Sequence, residues 1–140
     1  MYTKIYIVLI FTIPFISFAE GFSEENFIKF CYKDYLKALS SPGKVSEQLA
    51  ARVRRRCLSK SFLNNWDKIV SVDGTGADGL LLAQDYLETW KAEISVTRHN
   101  KNERSVEINL GKSLEAKCLR VNHSGLGSNL RIDTVSACQK

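Results

Sequence analysis

Apolar residues in the first half of the chain recur at helical spacing. Ser23-Glu24-Glu25 offers an N-cap and an acidic first turn, and Phe27, Cys31, Tyr35 and Leu39 then follow every fourth residue, flanked by Ile28, Tyr32 and Leu36. Ser40-Ser41-Pro42-Gly43 ends this predicted helix. Val45, Leu49, Val53 and Cys57 mark a second, and Ser59 or Ser61 can cap a third through Phe62, Trp66, Ile69 and Val70.

Beyond Trp90 the period changes to two. Ala92, Ile94 and Val96 alternate with Lys91, Glu93, Ser95 and Thr97, and Val106, Ile108 and Leu110 with Ser105, Glu107 and Asn109. Leu119 and Val121 flank Arg120, and Leu130 and Ile132 alternate with Arg131 and Asp133. Each predicted strand has one face to bury, and the segments 99–103, 111–113 and 123–129 are turn-rich links too short for crossovers. The expected fold is therefore α+β: about three N-terminal helices packed on a four-stranded antiparallel sheet. The preferred picture is a cystatin-like cone of the nuclear transport factor type, with a curved sheet wrapped round a long helix.

The extreme N-terminus follows neither period. Lys4 precedes an almost unbroken apolar run, Ile5–Phe18, and Ser17-Phe18-Ala19 offers small residues where a signal peptidase cuts. This reads as a cleavable signal peptide over residues 1–19, with a single domain over 20–140 and a periplasmic destination. Pro14 interrupts the run, which is shorter than the roughly 20 residues that span a bilayer, and no second stretch is apolar enough to cross a membrane. Removing Lys4 from the 20 basic side chains leaves 19 against 15 acidic ones, a net +4. So small an excess gives no argument for nucleic acid.

Export changes the meaning of the cysteines. Cys31, Cys57, Cys118 and Cys138 are an even set in an oxidising compartment, so two disulfides are expected. Three pairings are possible; the favoured one joins Cys31 to Cys57, on two apolar helical stripes, and Cys118 to Cys138. The second bridge carries a parity conflict. Cys118 falls on the polar side of its strand, whereas Cys138 continues the apolar Leu130–Ile132 parity, so a bulge is needed or Cys138 must lie past the strand end.

Gly74–Gly79, GTGADG, spells a dinucleotide fingerprint. A helix precedes it and antiparallel strands follow it, so the parallel βαβ context is missing, and no Gly-Lys-Ser/Thr completes a phosphate loop. No nucleotide and no other cofactor are expected. Asp73, Asp78 and Asp85 are hard oxygen ligands, but their order is not that of an EF-hand, and no metal is expected. The stronger reading is a tight polar link between helices and sheet, with Gly76 and Gly79 permitting positive φ and Asp78 capping a short turn over Leu80–Gln84.

The basic run Arg52, Arg54, Arg55 and Arg56 is the candidate interaction face. The candidate loop or pocket comprises Asp73, Asp78, Gln84, Asp85, Tyr86 and Trp90, with Asp85 the one residue nominated for acid–base work in an apolar pocket. His99 and His123 fall in predicted turns without an evident Ser, Cys or acidic partner, and no nucleophile elbow is present, so no catalytic residue is assigned.

The layout, with AQDY (Ala83–Tyr86) in an acidic loop and a closing LRIDTV (Leu130–Val135), resembles the family of small periplasmic enterobacterial-type proteins typified by YbjP and YqhG. The matching residues are Gln84, Asp85 and Tyr86, then Ile132, Asp133 and Val135, while Leu130 stands where that family has Trp. The resemblance implies a periplasmic cone-like α+β protein of unknown role and carries over no catalytic residue. The expected function is non-enzymatic binding of a protein or envelope component. The alternatives are an immunity protein against a toxin delivered to the periplasm, and a small-molecule or enzyme pocket around Asp85.

Overall fold

In a computed structural model describing residues 23–71 and 77–139, the Ser23 hydroxyl accepts the Asn26 N–H at 3.2 Å and starts α1 (Glu24–Leu39), with Glu24 and Glu25 in its first turn. The signal-peptide segment, together with Asp73, Gly74 and Gly76, lies outside the described residues. Helix α1 buries Phe27, Ile28, Cys31, Tyr32, Tyr35 and Leu36, the stripe its sequence spacing predicts. The chain turns at Gly43, where φ is +60°, and returns as α2 (Lys44–Cys57). Ala50, Val53 and Cys57 face inward, but Val45, expected on the same stripe, is exposed. The Cys31–Cys57 disulfide, with Cα atoms 6.0 Å apart, ties the two helices.

The expected third helix is two short ones, α3 (Lys60–Asn64) and α4 (Trp66–Ser71). Ser59, rather than Ser61, supplies the cap, accepting the Phe62 N–H at 3.2 Å. The break falls at Asn65, whose side-chain amide donates to the Ser61 carbonyl at 3.0 Å and so competes for the backbone. A fifth helix, α5 (Glu88–Ala92), takes Lys91 and Ala92 out of the expected first strand. Trp90 is the reason: one helical turn buries its ring and lets the indole N–H donate to the Glu115 carbonyl at 2.9 Å.

The strands β1 (Ile94–Thr97), β2 (Ser105–Leu110), β3 (Lys117–Ser124) and β4 (Arg131–Ala137) form one antiparallel sheet in the order β1-β2-β3-β4. One face is apolar: Val106 opposes Val121, Ile108 opposes Leu119, and all four are buried. Helix α1 lies along β1 on this face, and α2 and α3 pack against β4. Leu58 bridges to Ile132, and the Ser59 N–H donates to the Ile132 carbonyl at 2.9 Å, so the α2–α3 junction is pinned to β4. The fold is α+β.

The parity conflict at Cys138 is resolved by a bulge. His123 opposes Ile132 while Asn122 opposes Thr134, which leaves Asp133 unopposed. Every later residue of β4 changes side, and Cys138, just past the strand end, reaches the outer face where Cys118 lies, with Cα atoms 5.5 Å apart in the disulfide. His123 is not in a turn. It belongs to β3 and points into the core, 3% exposed.

Candidate functional site

The glycine loop is fastened to α1 through Asp78. One carboxylate oxygen accepts the N–H groups of Leu80 and Leu81 at 2.7 and 3.0 Å, so Asp78 caps the turn as its position predicts. The other accepts the Tyr35 hydroxyl. Tyr35 in turn accepts from Arg54 at 3.4 Å, and Tyr32 donates to the Leu80 carbonyl at 3.0 Å. Burial pushes the Asp78 carboxyl above its usual range, against the opposing pull of the Tyr35 hydroxyl, the two backbone N–H groups and Arg54. Burial, then the Asp78 charge, likewise raises Tyr35.

Gly79 does not have a positive φ; it is needed for close approach. A Cβ there would sit 3.0 Å from Ile69 Cγ2 and 3.1 Å from the Trp66 ring. Leu82 alone among the described non-glycine residues has a positive φ, 49°, and its carbonyl accepts from Lys117 Nζ at 2.9 Å. These contacts make the loop a lock between α1 and the sheet.

Of the pocket residues expected from sequence, the described ones do not converge. Asp78 points inward, whereas Gln84 and Asp85 are exposed, so the buried carboxylate of this loop is Asp78 and not Asp85. Tyr86 is half-buried and donates to Glu88 at 2.8 Å, and Trp90 is packed beneath Gly111. Asp78 and Asp85 do not assemble a cation site. Glu107, Cys118 and Cys138 cluster closely, but the two sulfurs are spent on each other in the disulfide.

The basic run divides. Arg54 turns inward: its side chain is 12% exposed, pairs with Glu47 and stacks 4.7 Å from the centroid of the Trp66 ring. Arg52, Arg55 and Arg56 stay outside. Helix α1 carries an exposed i, i+4 stripe, Lys29, Lys33 and Lys37, that the sequence reading missed although the spacing was visible; only Lys37 of the three lies beside Arg52 and Arg56, while Lys29 and Lys33 face Lys91 and Lys112 on the β1 side. Arg56 is held in place by Asp34 at 2.7 Å and by the exposed Phe30 ring, whose centroid is 4.7 Å away. Among the described residues, Lys29, Lys33, Lys37, Arg52 and Arg55 have no ion-pair partner.

A second charged group sits where α1 begins. Arg98, just after β1, pairs with Glu24 and, at 2.7 Å, with Glu25. The buried ring of His123 approaches Glu24 at 3.6 Å but has no hydrogen-bond partner on either nitrogen. Burial, then the Arg98 charge, lowers the His123 pKa. His99, by contrast, is exposed and bonds Glu107 at 2.7 Å on the outer sheet face, where Arg120 also reaches Glu107 at 2.9 Å.

No protein-family model and no curated protein matches the chain. Two solved structures share its fold. One is a protein of unknown function from Bacteroides thetaiotaomicron, 23% identical, covering 81% of this chain and 88% of its own, with a TM-score of 0.65. The other is a chain of the type VI native effector–immunity complex Tae3–Tai3 from Ralstonia pickettii, 18% identical, covering 84% of this chain and 97% of its own, with a TM-score of 0.62. At these identities the likeness is one of fold.

Proposed function

We propose that this chain is an exported immunity protein, which protects its own cell by binding a toxic effector delivered to the periplasm. The observation that carries this reading is the shared fold with a chain of a type VI effector–immunity complex, aligned over 97% of that chain. The leader sequence supports the protective role over the toxic one, because a protein routed by its own signal to the producer's envelope stands where an incoming toxin arrives. Two disulfides suit an oxidising compartment, and no described helix is long and apolar enough to cross a membrane. On this reading protection is by binding, and the cationic rim of Lys37 and Arg52 between α1 and α2 supports it.

The test is direct. Effectors encoded beside this chain are purified and titrated with the mature protein by calorimetry. A stoichiometric complex with a dissociation constant below about 1 μM supports the proposal, in the range of specific protein–protein complexes. No heat and no co-elution with any of them would contradict it.

A further inference from the structure

Helices α1 and α2 leave a depression of about 290 Å³ between them. Its floor is apolar: Ala38 is 3% and Val53 8% exposed, and Leu49 packs beside them. Its rim is cationic, formed by Lys37 from α1 and by Arg52 and Arg56 from α2. Helical periodicity sorts α2 so that its acid, Glu47, goes with Arg54 to the opposite flank and leaves the groove side to arginine. Asp34 lines the groove too, but its charge is taken by Arg56. The pairing also fixes the Arg56 guanidinium over Phe30, so one rim donor is already ordered before anything binds.

We propose that this groove is the docking site for an acidic protein segment, one that places an apolar side chain on the Ala38–Val53 floor and carboxylates against Lys37 and Arg52. The proposal rests on the immunity reading in naming the effector as the source of that segment. Charge complementarity selects the occupant: unpaired cations gain from carboxylates, and planar arginine forks match them bidentately. Depth selects a polypeptide over a membrane. A flat layer of lipid headgroups can meet the rim cations but leaves the recessed floor uncovered, whereas an inserted side chain fills it.

Two measurements test the groove separately from the function. In the first, a fluorescein-labelled hexapeptide of alternating glutamate and leucine is titrated against the mature protein, with NMR shifts read in parallel. Binding that perturbs Lys37, Leu49, Arg52 and Val53, weakens with added salt, and falls about tenfold or more in Lys37→Glu/Arg52→Glu supports the site. A control of equal charge change, Lys60→Glu/Lys101→Glu, is expected to bind as the unaltered chain does. No binding, equal loss in both variants, or shifts elsewhere would overturn it. So would capture on phosphatidylglycerol vesicles, abolished by the same reversal, with the peptide ignored. In the second, the Lys37→Glu/Arg52→Glu protein is titrated against an effector that the unaltered chain binds. Unchanged affinity would overturn the groove and leave the immunity reading standing; peptide binding without any effector bound would leave the groove and sink that reading.

Discussion

Tyr35 is the residue on which the helical layer and the loop meet. Its hydroxyl donates to Asp78 and accepts from Arg54, so Tyr35→Phe leaves a buried carboxylate one donor short. The expected loss is about 1–3 kcal/mol of unfolding free energy, measured by urea denaturation, with the fold retained. His123 makes a second residue-scale prediction. Its folded pKa lies below the free value of 6.5, so the neutral ring is favoured in the native state. Stability is therefore complete above the unfolded pKa and declines as pH falls through 6.5 toward the folded value. The groups around the ring are Glu24, Glu25, Asp133, Arg98 and Arg104. His123→Leu keeps the apolar parity of β3, and its stability between about pH 7.5 and 5.5 is expected to vary less than that of the unaltered chain. An unchanged slope would assign the pH dependence to other groups.

At the scale of elements, the β3–β4 turn depends on one glycine more than its neighbour. Gly125 has φ +81°, and a Cβ there would fall 2.2 Å from the Asn129 carbonyl oxygen, whereas Gly127, at φ +55°, faces open space. Gly125→Ala should cost clearly more than Gly127→Ala, for which only the roughly 1–2 kcal/mol left-handed penalty applies. Equal thermal shifts would contradict this reading of the turn. Sequence periodicity was a good guide to these elements wherever one face is buried. The strands around Val106–Leu110 and Leu119–Val121 follow their alternation, and the parity conflict between Cys118 and Cys138 pointed to the bulge that Asp133 supplies. It failed where local chemistry overrides period. Asn65 breaks a helix that the apolar spacing carries through, and Trp90 draws its neighbours into a helical turn. The basic run misled for a geometric reason: consecutive helical residues point around the axis, so Arg54 lies opposite Arg52 and Arg56, and Lys37 joins those two from another helix.

For the whole molecule, the two disulfides close loops with sequence separations of 26 and 20, and each is worth roughly 3–4 kcal/mol in the chain-entropy model. Mass spectrometry of the unreduced protein should find no alkylatable thiol, and reduction should lower the melting temperature markedly; free thiols in the native protein would contradict the pairing. The buried site chemistry was only partly legible in the sequence. Asp78 was visible as a turn cap, but its contact with Tyr35, 43 residues away, depends on tertiary packing. The most direct measurement of the proposed function is protection: an effector encoded beside this chain is exported to the periplasm of a susceptible cell, with and without co-exported chain, and viability is counted. The immunity reading predicts that the chain restores growth; the groove proposal adds that Lys37→Glu/Arg52→Glu, though folded, does not. Equal killing in the presence and absence of the unaltered chain, for every such effector, would contradict it.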